Sequence, residues 1–280
     1  MSVINTNVKA LVAQNAMTVN NRSLSKAMEQ LSTGRRINSA ADDAAGLTIV
    51  DRMTSQIRGL NQAIRNANDG ISMLQTAESA TQEVTNMLQR MRELAVQAAN
   101  DTYSSADRSS IQLENDALAS EISRISNNTQ WNAMNLFNSG ASAAIGSALV
   151  VTLQVGMNGT SGDTIDVTFE SISASGLGVS GLDLSSSSGA QSALTVIDTA
   201  IEQVDTFRAN MGAWINRLTY AADNLMSVST FTAASRSRIQ DADYASVTTE
   251  LARTQIIQQA STAMLAQANQ APAAVLSLLQ

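Results

Sequence analysis

The 280-residue chain contains no cysteine and no histidine, a single proline, and aromatic side chains at only 3% of positions. Each shortage excludes something. Without cysteine there are no disulfides and no thiolate chemistry. With histidine missing too, the usual general bases and nucleophile partners are absent, so no catalytic site is expected. So few aromatics leave too little core material for a compact sandwich or barrel. No run approaches the roughly 20 apolar residues of a membrane span. MSVINTNVKAL lacks the basic and then apolar stretch of a cleaved secretory leader, so a route to the cell exterior would be one that reads no such leader. Lys9 and Lys26 are the only lysines, and the net charge of −7 argues against a nucleic-acid partner, which needs a basic stripe.

What remains is Ala, Ser, Gln, Asn and Leu, a composition suited to long helices lying side by side. Val50, Met53, Ile57, Leu60, Ile64, Ala67, Ile71 and Leu74 alternate steps of three and four, an a/d heptad seam. The pattern resumes at Ala77, Ala80, Val84, Met87, Met91, Leu94 and Ala98 after two successive threes, which predicts a stammer. A continuous helix from Asp43 to Ala99 would be roughly 85 Å long and needs partner helices. Ser104 with Asp107 reads as a capping box, followed by Ile111, Leu118, Ile122 and Ile125 and a stop at Asn127-Asn128. Ser188 with Gln191 opens a further helix on the seam Leu194, Ile197, Ile201, Val204, Met211, Ile215, Leu218, Ala222 and Leu225, with Arg208 as its one charged position.

Residues 138–190 change character. Two period-2 runs, Leu149 to Val155 and Ile165 to Phe169, flank a Gly-rich link and predict a β-hairpin at about 148–170. Ser173 to Gly189 reads as a mobile Ser/Gly connector whose hydroxyls could carry O-linked sugars, a plain loop being the simpler reading. The two ends, 1–33 and about 245–270, are helical by pattern but poor in apolar area. That shortage predicts ends that order only against neighbouring copies. Pro272 is expected to break the last helix, leaving an apolar hook at Val275, Leu276, Leu278 and Leu279.

Between the first two helices lies LSTGRRINSAADDAAGL, Leu31 to Leu47. Gly34 can take the left-handed conformation that ends a helix. Ser39 with Asp42 reads as a capping box for the next helix, and Asp42-Asp43 as first-turn acids. Locally this is a charged joint. Asp241 and Asp243 near the far end could face a cation, but two carboxylates without further oxygen ligands are weak evidence for a metal.

Taken whole, the joint resembles the N-terminal signature of bacterial flagellins, and INTN (Ile4–Asn7) with Leu11 and Ala13-Gln14 resembles the family's opening motif. GAWINRL (Gly212–Leu218) resembles its GA..NRL element. SRIQDADYA (Ser237–Ala245), QIIQQASTAMLAQANQAP (Gln255–Pro272) and VLSLL (Val275–Leu279) resemble its C-terminal signature. The chain departs from that pattern at Trp131 and Ala133, where TQFNG would have Phe and Gly, at Trp214, and at Val247, a common acidic position. The large outer domains that many flagellins carry near residue 175 are absent.

The resemblance implies a mainly α fold: a long coiled-coil-like rod, 43–238, with a small β-hairpin, and a discontinuous filament-core domain of terminal helices, 1–42 and 239–280. It implies a structural subunit of the extracellular flagellar filament, a helical homopolymer that serves motility and needs no cofactor. An export apparatus, an export chaperone, a filament cap and hook-junction proteins are the implied partners. Its assembly signatures fall on Asn5, Asn7, Arg36, Asn38, Asp42, Asp43, Asn216, Arg217, Arg238, Asp241, Tyr244, Gln259, Gln267 and Asn269. QRMRELAVQAA (Gln89–Ala99) resembles the segment that the animal Toll-like flagellin receptor reads, which singles out Arg90, Leu94 and, on the next helix, Glu114. Glu29–Val50 resembles the epitope of plant flagellin receptors, with departures at Arg35 and Ala41. A hook–filament junction protein and a soluble coiled-coil adaptor are the alternatives, and a hydrolase is the remote one.

Overall fold

A computed structural model of the chain describes residues 6–137 and 149–276. Along these run the helices α1 (Val8–Thr33), α2 (Ala44–Ala99) and α3 (Ser105–Asn128), the strands β1 (Gln130–Trp131), β2 (Met134–Asn135), β3 (Leu149–Gln154) and β4 (Thr164–Phe169), then α4 (Ser187–Gln240) and α5 (Tyr244–Leu276). The protein is mainly α, as its composition predicts. Its chain forms two compact units, one of residues up to Ile57 with those from Thr230 onward, the other Arg58–Ser229.

In the second unit, the buried stripe of α2 is Leu60, Ala63, Ala67, Gly70, Leu74, Ala77, Thr81, Val84, Leu88, Met91, Ala95 and Ala98. These positions alternate three and four throughout, so there is no stammer. The expected seam followed the larger side chains Ile64, Ile71 and Met87, which are only half-buried and flank the stripe. The true centre uses small residues because neighbouring elements approach closely there. A Cβ on Gly70 would come within 2.5 Å of Leu153 Cδ1 from the hairpin.

The same displacement occurs in α4. Its buried positions run Ala190, Ala193, Ile197, Ala200, Val204, Phe207, Met211, Leu218 and Ala222, so Phe207 and not Arg208 occupies the seam. Arg208 donates from Nη2 to Gln82 Oε1 at 2.6 Å, while its buried Nε finds no partner. The helix starts slightly earlier than expected, because Ser186 Oγ accepts from Gly189 N. In α3 the Ser104–Asp107 capping box is complete in both directions, and the helix ends at Asn128 as predicted.

The hairpin β3–β4 pairs antiparallel with Leu149 opposite Phe169 and Gln154 opposite Thr164. Its buried face contributes Val155, Ile165, Val167 and Phe169. Phe137, Phe169 and Phe207 meet edge to face, with ring centroids 6.2 to 6.5 Å apart. The expected connector is packed, contrary to its composition. Leu177, Val179 and Leu184 are buried, and Gln112 on α3 clips the segment by donating to Leu182 O and accepting from Leu184 N. A few apolar side chains and one amide suffice to hold a Ser-rich stretch. β1 and β2 were not foreseen. They form a minimal hairpin whose turn residues Asn132 and Ala133 both have positive φ, 47° and 63°, as a two-residue type I′ turn demands.

In the first unit, Asn7 caps α1 through Oδ1, which accepts from Ala10 N, and Gly34 closes the helix at φ 68°. The cap of α2 is Asp43, which accepts from Gly46 N at 2.8 Å, not Ser39. Residues 39–42 form a turn before the helix, so Ser39 lies too far upstream to cap it. α5 runs on through Pro272 to Leu276, so the expected break is not there. Asn5, residues 138–148 of the Ser/Gly segment and the end of the apolar hook lie outside the described residues.

Candidate assembly surface

The first unit buries little apolar material. On α1 only Asn20 and Ala27 are buried, and between Tyr244 and Gln270 of α5 the buried positions are Val247 and Thr254. Asn20 Nδ2 donates to Thr254 O at 2.8 Å inside that interface. Meanwhile Val8, Leu11, Val12, Val19 and Met28 on α1, with Ile256 and Met264 on α5, are each more than half exposed. An open groove of about 760 Å³ runs between the two helices, floored by Val12, Ala16, Ile257 and Met264 and edged by Gln267. Large side chains left in water on paired helices mark a surface that other protein covers.

The two joints of this unit clasp one another. Arg36 N donates to Gln240 O at 2.7 Å and Ala242 N to Gly34 O at 3.0 Å, and Arg35 bridges Asp241 antiparallel. The Arg36 guanidinium adds a bond to Ile239 O at 2.7 Å. Asp241 accepts from Ser237 Oγ, and Tyr244 donates its hydroxyl to Leu31 O at 2.9 Å. Asp42 stands beneath this clasp, 2.8 Å from Lys26 Nζ, and also accepts from the N–H groups of Asn38 and Ser39. Lys26 first, then the Ser39 and Asn38 amides, hold its carboxyl well below the usual carboxylate range. Asn38 itself donates to Arg35 O at 3.1 Å.

The fold thus brings Arg36, Asn38, Asp42, Asp241 and Tyr244 into one structure, although they come from opposite ends of the chain. The pairing left no signal in periodicity; unsatisfied backbone groups at two helix ends were its only trace. Asp43 is a cap, and Asp243 plays the same part for α5 by accepting from Ala245 N. Arg238 is exposed in the last turn of α4. Gln259, Gln267 and Asn269 are exposed along α5. Asn216 and Arg217 belong to the second unit, where Arg217 and Asp163 both line a groove of about 380 Å³ at the hairpin loop.

Arg90 lies on the second unit. Its Nε is 2.9 Å from Glu114 Oε1 and its Nη1 2.9 Å from Glu93 Oε2, with Arg90 and Glu114 half exposed and Glu93 more so. Leu94, expected beside it, is 2% exposed and belongs to the core, because it flanks the Met91–Ala95 step of the buried stripe. Among the described residues no group of three carboxylates could hold a metal ion, and no helix is long and apolar enough to cross a membrane.

Long paired helices with an uncovered apolar face point to a structural, self-associating class of protein. Residues 4–142 match the family model of the bacterial flagellin N-terminal helical region and residues 194–279 that of the C-terminal helical region. The chain is 45% identical over 278 residues to a flagellin of Halalkalibacterium halodurans, covering 99% of this chain and 100% of that one. It is 41% identical to a flagellar filament core protein of Brachyspira hyodysenteriae, again over 99% of this chain and all of the other. A protein described as flagellar hook-associated, from Vibrio parahaemolyticus, shares the fold at a TM-score of 0.60 and 17% identity, covering 71% of this chain and 100% of that one. The chain belongs to the bacterial flagellin family, a family of structural proteins.

Proposed function

We propose that this chain is a structural subunit of a flagellar filament, assembled outside the cell as an open helical homopolymer that serves motility, and that it is not an enzyme. The observation that carries the reading is the apolar face of the α1–α5 pair, with Val12 at 65% and Met264 at 65% exposure on helices that bury almost nothing themselves. Contacts that do not close on themselves extend into a filament. In this reading residues 1–42 and 239–280 form the filament core and 43–238 the rod, and the hairpin and joints are positioning elements. The export apparatus, export chaperone, filament cap and hook-junction proteins are its partners. Purified protein added to short filament seeds and then sedimented tests the proposal. A filament subunit transfers to the pellet in proportion to the amount supplied. A junction protein stops after one layer, and an adaptor stays in solution.

Arg90, with Glu114 on α3, belongs to the exposed surface that host flagellin receptors would read. Leu94 contributes to that surface only by packing beneath it. The Glu29–Val50 stretch, read by plant receptors in this proposal, includes the clasped joint.

A further inference from the structure

The geometry points to Asn7 and Tyr244, acting with Pro272, as the residues that set the register of the α1–α5 pair. This inference rests on the filament reading for its biological use but not for its test. The need for such a device comes from the interface itself. Ala27, Val247, Asn20 and Thr254 bury little apolar area, and small side chains repeat along both helices, so sliding one helix by a heptad costs little contact area.

Carbonyls in a helix interior already hold a helical N–H, but each end of this pair offers one that does not. Pro272 lies within α5 and has no N–H, so the carbonyl four residues back, Ala268 O, lacks its helical donor. Asn7 Nδ2 donates to that oxygen at 2.7 Å while Asn7 Oδ1 caps α1. At the opposite end Leu31 O is among the last carbonyls of α1, which no helical N–H reaches. The Tyr244 hydroxyl donates to it at 2.9 Å.

The residue spacing from Asn7 to Leu31 on one helix equals that from Tyr244 to Ala268 on the other, so both bonds form in the same antiparallel alignment. Pro272 is the only proline, so Ala268 O is the acceptor that a missing proline N–H frees inside α5, ahead of the carbonyls of its last turn. By contrast the Asn20 bond to Thr254 O uses an ordinary helix carbonyl, of a kind repeated at every residue, and discriminates less. Two side chains reading two orphan carbonyls thus specify a register that the apolar seam leaves open.

The absence of cysteine makes the test clean. In the observed register Ala27 stands opposite Val247, one heptad on from Asn20 and Thr254. The full-length Ala27→Cys/Val247→Cys variant reports this register by its disulfide, and Ala27→Cys/Thr254→Cys reports a slip of one heptad. Both are equilibrated in a glutathione redox buffer as soluble chain, where even a sparsely populated helix pair contributes to the yield. The in-register disulfide should exceed the slipped one by about 30-fold, the worth of two net hydrogen bonds. Adding Pro272→Ala, which restores the helical donor, and Tyr244→Phe, which removes only the hydroxyl, should bring the two yields close to parity. Asn7→Asp, which keeps the capping oxygen and loses the amide N–H, should act like Pro272→Ala, and the two together should do no more than either alone. Near-equal yields without those changes, or a ratio that Pro272→Ala with Tyr244→Phe leaves unaltered, overturn the inference. Seeded elongation of the cysteine-free chain is scored separately, so a failure to polymerise counts against the filament reading alone.

Discussion

Replacing Phe169 by Ala tests the packing of the second unit where it is densest. Phe169 is 1% exposed, and its ring meets Phe137 at 6.5 Å and Phe207 at 6.3 Å. It is the point where strand β4 is pinned to the helical core. Removing a buried Phe ring costs about 3–5 kcal/mol, because transfer and cavity effects add. For a unit of this size 1 kcal/mol shifts the midpoint by roughly 2–4 °C, so the expected fall is about 6–20 °C. Differential scanning calorimetry of the intact chain reads it directly. Phe231 provides the control, since it is 72% exposed, and Phe231→Ala should leave the same transition in place. A Phe169→Ala shift no larger than that of Phe231→Ala would refute the reasoning, since the three-ring cluster would then hold nothing together.

Ala133 occupies the left-handed region at φ 63°, where Gly would sit without strain. Releasing that strain is worth about 1–2 kcal/mol, offset by about 0.4–1 kcal/mol of extra freedom in the unfolded chain, so Ala133→Gly should raise stability slightly in chemical denaturation. A lower midpoint would contradict the turn assignment. Asp42 carries a depressed pKa set first by Lys26. The unfolded chain therefore takes up the proton first, near pH 4, and the stability this link contributes is present above about pH 4 and lost as pH falls further. Asp42→Asn should flatten the acid side of a helicity-against-pH curve; curves of the same shape would sink the assignment. Arg90→Ala should weaken signalling through the animal receptor with the melting transition nearly unchanged, because an exposed Arg contributes little to folding. Normal signalling by that variant would remove Arg90 from the recognised surface.

Element identity was well marked in the sequence, and side-chain packing less so. Capping chemistry located α3 to the residue, and period-2 alternation located both strands of the hairpin. Every other seam position on α2 and α4 was legible, Leu60, Ala67, Leu74, Ile197, Val204 and Met211 among them. The alternate positions lie one residue away, because large apolar residues dominate a periodic pattern and the closest helix contacts select Ala, Gly and Thr. In the connector Ser content suggests mobility, whereas order there depends on four buried side chains, Ala174, Leu177, Val179 and Leu184, and the Gln112 amide. Pro272 was misread for a related reason. A proline inside a helix removes one hydrogen bond and crowds the carbonyl four residues back; the lost bond is replaced here by Asn7, which sits at the other end of the chain. The clasp between the Arg36 and Asp241 joints is likewise long-range, and one-dimensional patterns carry no information about it.

The central claim is that the α1–α5 pair exists to be covered by other copies. Limited proteolysis of the soluble chain and of seed-grown polymer tests it most directly, with cleavage sites mapped by mass. The account predicts that both ends are trimmed in the soluble chain up to the two joints while Arg58–Ser229 survives, and that the same ends resist digestion in the polymer. Equal resistance of α1 and α5 in the two states would contradict it.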